Sequence, residues 1–399
     1  MKRRPLIPAL LIALLLLPTL ALADVKATIK KLAPSGMVLV LDQDGKELVA
    51  QNTGRPFTPA STTKIVTAWL AMEVLGGDYR FKTQFYMDQN RVLYVRGGGD
   101  PFLVSEELAL LAPKLLAKTG KKPFTGLVLD AGYYPDELRI PGIEHTDEAY
   151  DALNTALSVN FNTIHARRKG KKVTSAEKQT PITPLAISQF RARGPKGRAR
   201  ISLAQEDPSI SVLYAGELIA AFIKKAGGSV DGKISIGSVP AGLKPAYVHS
   251  QSRPLSEILR LMLLGSNNFI ANQVFLEVGA HEASGQVSLK KSLDVTQSIL
   301  KDHKLEKDIQ LTEGSGISRD NRFTAHGLAT ILHHFASHAK QMRQARSGSR
   351  FKTGTLSDVK TLAGFAETKK HGTVRFVIAL GGGSGKLRYR LLKAIETGL

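Results

Sequence analysis

A serine and a lysine stand three residues apart in the stretch TPASTTKIVTAWL, at Ser61 and Lys64. Residues with this spacing share one face of a helix, so the hydroxyl and the amine can come within hydrogen-bond distance. Burial in an apolar stretch lowers the pKa of a lysine, which would leave Lys64 partly neutral and able to take the serine proton. Thr58-Pro59 mark the start of a helix, where free backbone N–H groups favour an oxyanion. The stretch therefore predicts a nucleophilic serine with its own base.

The Ser-x-x-Lys spacing alone does not select a nucleophile. It recurs at six other serines, which are Ser175, Ser288, Ser298, Ser337, Ser349 and Ser357. Only Ser61 combines a helix start, a proline in the first turn and an apolar run behind it. Its position in the chain therefore favours Ser61.

Two further short motifs would complete a hydrolase. Ser266 and Asn268 lie in GSNNF, at a Gly-marked junction between two apolar helical runs, and Lys352-Thr353-Gly354-Thr355 precedes the C-terminal strands. Each motif has a second copy in the chain. Ser158-Val159-Asn160 repeats the first beside a basic segment and stays an alternative, whereas Lys118-Thr119-Gly120 is typical of a helix C-cap.

The two ends of the chain carry the strand signals. Apolar runs joined by Asp44-Gly45 predict a hairpin, and TLAGFAET and GTVRFVIALGG predict two strands near the C-terminus. The simplest closure is an α/β fold of the α+β type, with one antiparallel sheet built from both ends and covered by helices. We expect one domain from 24–80 plus 250–399 that carries the three motifs, and an inserted domain from 81–249 with a basic subregion at about 159–205.

The first 23 residues have the pattern of an export signal. Three cations at positions 2–4 precede an apolar run that ends in Ala21-Leu22-Ala23 before Asp24. This pattern predicts a secretory signal peptide, and an uncleaved membrane anchor is the alternative. The 399 residues contain no cysteine, so disulfides and thiol chemistry are excluded. We therefore expect export to the periplasm or the cell-wall space, with membrane association left open.

The charge balance points to anionic surroundings. The formal net charge is +21, and residues 165–200 hold eleven cations against one acid, Glu177. Such an excess attracts nucleic acid, anionic lipid or an acidic cell-wall polymer, and export makes nucleic acid the weakest of these. An ordinary solvated surface is the alternative interpretation of the basic segment.

Two other patterns predict neither a nucleotide site nor a metal site. The stretch ALGGGSGKL at 379–387 resembles a phosphate loop, but its spacing is one residue short and Leu387 stands where Ser or Thr must bind magnesium. His334 and His338 lie four residues apart, yet no third ligand is evident. We therefore expect no cofactor and no metal.

The ordered set of Ser61-Thr62-Thr63-Lys64, Ser266-Asn267-Asn268 and Lys352-Thr353-Gly354 resembles the motifs of penicillin-binding proteins and serine β-lactamases. Within that superfamily, four features are similar to those of the class C low-molecular-mass penicillin-binding proteins. They are the signal peptide, the long insertion, the stretch VRGGGDPFL and the stretch EGSGISRDNR. These are the D-alanyl-D-alanine carboxypeptidase/endopeptidases. The resemblance covers nearly the whole mature chain. It implies a serine DD-peptidase with a transpeptidase-like fold that acts on peptidoglycan peptides and is acylated by β-lactams.

The resemblance also implies the catalytic roles. Ser61 would be the acylated nucleophile and Lys64 its base. Ser266 would relay a proton towards the leaving amine, and Asn268 would orient Lys64 and the substrate amide.

On the substrate side, the resemblance assigns the third motif to binding. Lys352 and Thr353 would hold the C-terminal carboxylate of D-Ala-D-Ala, and the backbone N–H groups of Ser61 and Thr355 would form the oxyanion hole. Gly354 would let the substrate approach the strand edge closely.

Arg319, in the Gly-rich stretch GSGISRDNR, is the last candidate site residue. It would either brace its own loop or grip the free carboxylate of a diaminopimelate side chain through its planar guanidinium. Both uses stay open at this point.

Two other functions remain as alternatives. A β-lactamase needs fast deacylation, for which the sequence offers no clear water-activating Glu. A non-catalytic wall-binding protein would use only the cationic surface. Acylation by penicillin separates these alternatives from a DD-peptidase.

Overall fold

The computed structural model describes residues 24–135, 138–144, 146–203, 207–282 and 286–399. The predicted signal peptide and the alternative membrane anchor lie outside these residues. No helix within the described ranges is long and apolar enough to cross a membrane.

Helices and strands both run through the whole described chain. The helices are α1 (24–32), α2 (Thr63–Val74), α3 (Ser105–Thr119), α4 (Pro184–Arg193), α5 (Pro208–Lys225), α6 (Leu255–Gly265), α7 (Asn268–Glu282), α8 (Leu289–Asp302), α9 (Ala325–His334) and α10 (Lys386–Gly398). Short 3-10 helices span Ala60–Thr62, Ala149–Asp151, Asn160–Asn162 and Ala336–Gln341. The strands are β1 (Met37–Leu41), β2 (Glu47–Gln51), β3 (Lys82–Met87), β4 (Val92–Arg96), β5 (Gly126–Asp130), β6 (Thr163–Lys169), β7 (Lys172–Ser175), β8 (Gly197–Ser202), β9 (Ile234–Ile236), β10 (Pro245–Ser250), β11 (Ile309–Gln310), β12 (Arg322–Phe323), β13 (Arg343–Gln344), β14 (Arg350–Thr355), β15 (Val359–Thr368) and β16 (Gly372–Gly381).

These elements form two compact units. The first unit comprises the described residues up to Trp69 together with His303–Leu311 and Arg319–Leu399. The second comprises Leu70–Asp302 and Thr312–Ser318. The predicted insertion 81–249 lies wholly within the second unit, and its status as a separate inserted domain stays a prediction.

The first unit contains the sheet predicted from the two ends of the chain. Its strand order is β13-β14-β15-β16-β1-β2, and every neighbouring pair is antiparallel. The N-terminal β1 pairs with the C-terminal β16, and Val40 faces Phe376. The prediction of an antiparallel sheet closed by both termini is confirmed.

Two helices from opposite ends of the chain cover one face of this sheet. Ile29 of α1 and Leu391 and Ile395 of α10 are fully buried in one cluster with Val38 and other strand residues. Burying an aliphatic side chain of this size contributes about 1.5–3 kcal/mol, so these contacts stabilise the packing of both helices on the sheet that contains β14.

The second unit has a mixed sheet and a small antiparallel one. The five-stranded sheet has the order β10-β3-β4-β5-β9, in which β4, β5 and β9 run parallel. Helices α3 and α5 pack on it through a buried aliphatic cluster that includes Leu115 and Leu218. The small sheet has the order β7-β6-β8 and carries most of the basic subregion.

Candidate active site

Ser61 lies in a tight turn that comes immediately before α2. Ala60–Thr62 form a 3-10 helix, whereas the sequence predicted that Ser61 falls about three residues into an α-helix. Ala60 has a φ of 48°, a left-handed conformation that costs a non-glycine residue about 1–2 kcal/mol. The Thr62 hydroxyl donates to the Pro59 carbonyl at 2.6 Å and closes the turn. This strained, hydrogen-bonded turn fixes the position of Ser61.

The amine of Lys64 lies beside the hydroxyl of Ser61. The Nζ–Oγ distance is 3.3 Å, and Lys64 has no solvent exposure. The flanking residues Ile65 and Val66 are also fully buried, because α2 is apolar around most of its circumference. The predicted hydroxyl–amine pair therefore exists, with a fully buried Lys64 and a half-buried Ser61.

The strand β14 passes directly beside the turn that carries Ser61. A Cβ atom placed on Gly354 would lie 2.7 Å from the carbonyl oxygen of Pro59, so only glycine fits. The Thr361 hydroxyl on β15 donates to the same Pro59 carbonyl at 2.9 Å. The structure thus gives Gly354 a role in packing the Ser61 turn onto the sheet, whereas the sequence analysis expected only an approach of substrate.

Lys352 is a second buried amine in the same unit. Its side chain is 3% exposed, and its Nζ donates to the carbonyl of Thr353 at 2.7 Å. Burial lowers the pKa of Lys352 well below its usual value, and the charges of Lys64, Arg343 and Arg388 lower it further. The positive charges gathered here favour an anionic group, because an added carboxylate would offset their mutual repulsion.

Ser266 and Asn268 lie in the second unit, at the junction of α6 and α7 as the sequence predicted. Ser266 is the C-cap of α6 with a φ of 53°, the left-handed conformation in which many helices end. The side-chain oxygen of Asn267 accepts a hydrogen bond from the N–H of Ile270 at 3.0 Å and caps α7. Asn268 donates to the carbonyl of Tyr150 at 3.2 Å.

With this geometry in place, the family of the chain can be stated. Residues 21–347 match the model of the D-Ala-D-Ala carboxypeptidase 3 (S13) family. The chain belongs to the S13 family. The match includes Ser61, Lys64, Ser266 and Asn268 but ends five residues before Lys352, so the assignment of the third motif rests on the sequence pattern and on the placement of β14.

The match between this S13 family member and its curated relatives covers most of each protein. It is 27% identical to the D-alanyl-D-alanine carboxypeptidase of Actinomadura sp. (strain R39), covering 92% of this chain and 81% of the relative. It is 23% identical to the D-alanyl-D-alanine carboxypeptidase DacB of Haemophilus influenzae, covering 92% and 90%. These matches identify a serine peptidase of the hydrolase class.

Solved structures share the fold of this S13 family member. Penicillin binding protein 4 (dacB) of Haemophilus influenzae has a TM-score of 0.73 at 21% identity, covering 94% of this chain and 97% of that one. The peptidoglycan endopeptidase Bd3459 of Bdellovibrio bacteriovorus has a TM-score of 0.54 at 17% identity, covering 90% of each chain. The predicted penicillin-binding-protein fold is confirmed.

Arg388 is a candidate positioning residue that the sequence analysis missed. It lies on α10, is 9% exposed, and its Nη1 donates to the carbonyls of Gly354 at 2.7 Å and Thr361 at 3.1 Å. It also donates to the Thr355 hydroxyl at 3.2 Å. One signal was available, because Arg388 precedes Leu391 by three residues and therefore occupies the apolar face of α10. A charged residue on that face indicates a specific buried partner.

Arg319 braces a turn in this structure. Its guanidinium donates to Asp358 Oδ1 and to Ser357 Oγ, each at 2.6 Å, in the turn between β14 and β15. The neighbouring Arg322 donates to the carbonyl of Arg319 and to the Thr58 hydroxyl at 3.2 Å. The loop thus links the β14–β15 turn to the residue that precedes the Pro59 turn. Contact of Arg319 with substrate stays a prediction.

The second copies of the two short motifs have structural partners. The side-chain oxygen of Asn160 accepts a hydrogen bond from the N–H of Ser105 at 2.9 Å, at the start of α3. The hydroxyl of Ser158 lies 2.6 Å from that of Thr155. Gly120 ends α3 with a φ of 77°, so the predicted C-cap is confirmed. These contacts explain both copies without catalysis.

Proposed function

We propose that this S13 family member is an exported serine DD-peptidase that cleaves D-alanyl-D-alanine bonds of peptidoglycan peptides through an acyl-enzyme on Ser61. One observation carries the proposal. A fully buried lysine amine lies 3.3 Å from the hydroxyl of Ser61, on a turn held against β14. This arrangement activates a serine without a histidine or a metal.

The reaction begins with transfer of the Ser61 hydroxyl proton to the amine of Lys64. The Ser61 Oγ attacks the carbonyl carbon of the penultimate D-Ala, and the backbone N–H groups of Ser61 and Thr355 stabilise the oxyanion. Collapse of the tetrahedral intermediate breaks the C–N bond, and the leaving amine takes the proton. Water then hydrolyses the ester and regenerates the serine. Roles for Ser266 in the proton relay and for Asn268 in orienting Lys64 and the substrate amide are proposed from the sequence motif alone.

Lys352 and Thr353 are proposed to bind the terminal carboxylate of the substrate. Protonating Lys352, which is 3% exposed, costs free energy because burial removes water from its ammonium group. A bound carboxylate would stabilise that charge. The half-buried Thr353 adds a hydroxyl donor on the same strand. Substrates with a free C-terminal carboxylate would therefore be preferred over their amides.

We expect Lys352→Ala to weaken substrates with a free terminal carboxylate about tenfold to a hundredfold, since one charge-assisted hydrogen bond contributes about 1.5–3 kcal/mol. The kcat/KM values for a D-Ala-D-Ala peptide and for its C-terminal amide measure the effect. Because the pKa of Lys352 is lowered, its cation is lost as pH rises through that lowered value. The parent's preference for the acid should accordingly decline with increasing pH. Unchanged discrimination in the variant would remove Lys352 as the anchor.

We expect Arg319→Ala to lower penicillin acylation and muropeptide hydrolysis by similar small factors, about fivefold at most, because an exposed ion pair contributes at most about 1 kcal/mol. The physical reason is that Arg319 braces the β14–β15 turn through its ion pair with Asp358. The side chains of Arg319 and Asp358 are 52% and 68% exposed. The two rates, measured side by side with a muropeptide containing diaminopimelate, are the readout.

Asp358→Asn is the matched control for Arg319→Ala. It removes the same ion pair but keeps the guanidinium and its hydrogen bond to Ser357 Oγ, so bracing through the ion pair predicts that both variants lose activity alike. If Arg319 instead grips the diaminopimelate carboxylate, Arg319→Ala should lose about tenfold on the muropeptide alone, and Asp358→Asn should lose nothing. That pattern would restore the substrate role.

A fluorescent penicillin and purified sacculi test the proposed function directly. We expect a stable covalent label on the purified protein and release of D-Ala or of uncross-linked muropeptides from sacculi. Rapid turnover of the penicillin would identify a β-lactamase. No labelling would identify a non-catalytic binding protein. The released fragments decide between carboxypeptidase and endopeptidase action.

Export and anionic surroundings complete the proposal. The pattern of the first 23 residues supports export to the periplasm or the cell-wall space. Without the three cations of the signal peptide, the net charge of 52 minus 34, or +18, supports association with an anionic wall or membrane surface. No nucleic acid is expected in such a compartment.

A further inference from the structure

The small sheet β7-β6-β8 has one buried and one charged face. Along β6, Ile164 and Ala166 point into the aliphatic core, while Arg167 and Lys169 are exposed. Side chains alternate between the two faces of a strand, so the outward positions form a continuous charged surface. This surface contains none of the proposed catalytic residues.

The strand register places cations directly opposite cations. Arg167 of β6 faces Arg198 of β8, and Lys169 of β6 faces Lys172 of β7. Residues opposite one another in an antiparallel pair have Cβ atoms about 4.5–5.5 Å apart, and like charges at this spacing destabilise the sheet. The fold therefore tolerates a repulsion that neutral side chains would remove.

Glu177, the one acid among residues 165–200, already has hydrogen-bond donors. Glu177 accepts hydrogen bonds from Arg200 and from His165 Nδ1, and His165 Nε2 accepts one from Arg198. Within the described residues, no ion pair involves Arg167, Lys169, Lys172 or Arg198. In the described part of the chain these four side chains thus have no directly paired carboxylate, and only Arg198 is linked to Glu177, through His165.

The cations continue around the end of this sheet. Lys171 lies in the β6–β7 turn, and Lys196 lies just before β8, where both are exposed. On the buried side of the sheet, α4 packs through Phe190, and its last turn carries Arg191, whose Nε donates to the Lys171 carbonyl at 3.1 Å. Exposed cations therefore lie on the outer face, on the turns and on the helix behind them. We call this set of cations in 167–172 and 191–198 the cationic tip.

We propose that the cationic tip binds a flexible polymer carrying repeated phosphate groups. A flexible chain can contact cations on several sides of the tip, whereas a flat bilayer reaches one side. Residues 163–202, all of which are described, expose no large hydrophobic side chain that would insert into a membrane. Arginine forks such as those of Arg167 and Arg198 match phosphate oxygens. Binding such a polymer would relieve the repulsion between the facing pairs.

The test replaces the four facing cations together, as Arg167→Gln, Lys169→Gln, Lys172→Gln and Arg198→Gln. The control quadruple variant removes four exposed lysines elsewhere in the same unit, as Lys114→Gln, Lys121→Gln, Lys233→Gln and Lys244→Gln. Both variants change the net charge equally. Binding of long-chain inorganic polyphosphate is measured by calorimetry over a range of salt concentrations.

We expect the tip variant to bind polyphosphate about 600-fold more weakly than the parent, since each of the four lost cations near an anionic array contributes about a factor of five. The slope of log affinity against log salt concentration should become about three units shallower in the tip variant, because each lost phosphate contact removes about 0.7 from its magnitude. The control variant should lose little. An equal loss in the control would show that net charge alone acts, and would overturn the site.

Two further measurements keep the test decisive. Without polymer, the tip variant should unfold at the same or a higher temperature than the parent, because the like-charge pairs are gone. Polyphosphate should raise the melting temperature of the parent and the control but not of the tip variant. Stronger binding of the parent to phosphatidylglycerol vesicles than to polyphosphate at equal phosphate concentration would overturn the proposal in favour of a membrane surface. Penicillin acylation of the tip variant serves as the check on its fold, and it does not depend on the polymer.

Discussion

Ser61→Ala is expected to abolish both penicillin labelling and peptide release. Removing the nucleophile of a comparable serine hydrolase lowers kcat about 10⁶-fold. The structure supports an effect of this size, because the Ser61 hydroxyl is the one held 3.3 Å from the buried amine of Lys64. The turn itself should persist in the variant, since its closing hydrogen bond comes from Thr62 and not from Ser61. Labelling is measured by fluorescence and by mass spectrometry of the labelled peptide.

Ser298→Ala is the matched control for this variant. Ser298 has the same spacing to a lysine, but it lies exposed on α8, and its loss should leave labelling unchanged. Both variants delete a single hydroxyl, so the comparison separates the effect of the position of the serine from the effect of losing a hydroxyl. A penicillin adduct on any peptide other than the one that contains Ser61 would contradict the assignment of the nucleophile.

The antiparallel sheet could be predicted because its strands are marked locally. The hairpin of β1 and β2 has apolar runs around Asp44-Gly45, and β15 and β16 have long runs rich in β-branched and small apolar residues. Each signal is complete within a few residues. The same holds for the Ser61–Lys64 pair, because a helical spacing of three specifies a shared face wherever the helix lies.

The features that escaped prediction depend on contacts distant in sequence. Gly354 must be glycine because Pro59 lies against it, almost 300 residues away in the chain. The guanidinium of Arg388 finds its acceptors on β14 and β15, and nothing near it in sequence specifies those carbonyls. The strained φ of Ala60 likewise follows from packing the turn onto the sheet rather than from any residue preference.

The compact units also depend on long-range packing. The sequence grouped the helical region after residue 250 with the two chain ends, because periodicity identifies a helix but not its neighbours. In the structure, α6, α7 and α8 belong to the compact unit that also holds 81–249. The assignment of 250–399 to the same domain as the N-terminal strands therefore stays a prediction.

Lys64→Met is expected to lower the acylation rate by about 10⁴- to 10⁶-fold, which is close to the loss on removing the nucleophile. The effects of removing residues that act together as one catalytic unit are not additive, so losing the base costs almost as much as losing the nucleophile. Without a base near the hydroxyl, serine is a poor nucleophile at neutral pH. Methionine is the informative replacement, since Lys64 is fully buried and alanine would leave a cavity that costs about 2–5 kcal/mol of stability. The measurement is the second-order rate constant for acylation by a fluorescent penicillin.

The thermal midpoint separates the loss of a base from the loss of the fold. Methionine keeps most of the side-chain volume of Lys64 and removes a buried amine, so the variant should melt at the same temperature as the parent or higher. Its residual acylation should rise steadily with pH, because hydroxide replaces the missing amine as the proton acceptor. A variant that melts normally and still acylates at more than about a tenth of the parental rate would show that another group takes the Ser61 proton. Lys64 would then serve only to position the hydroxyl.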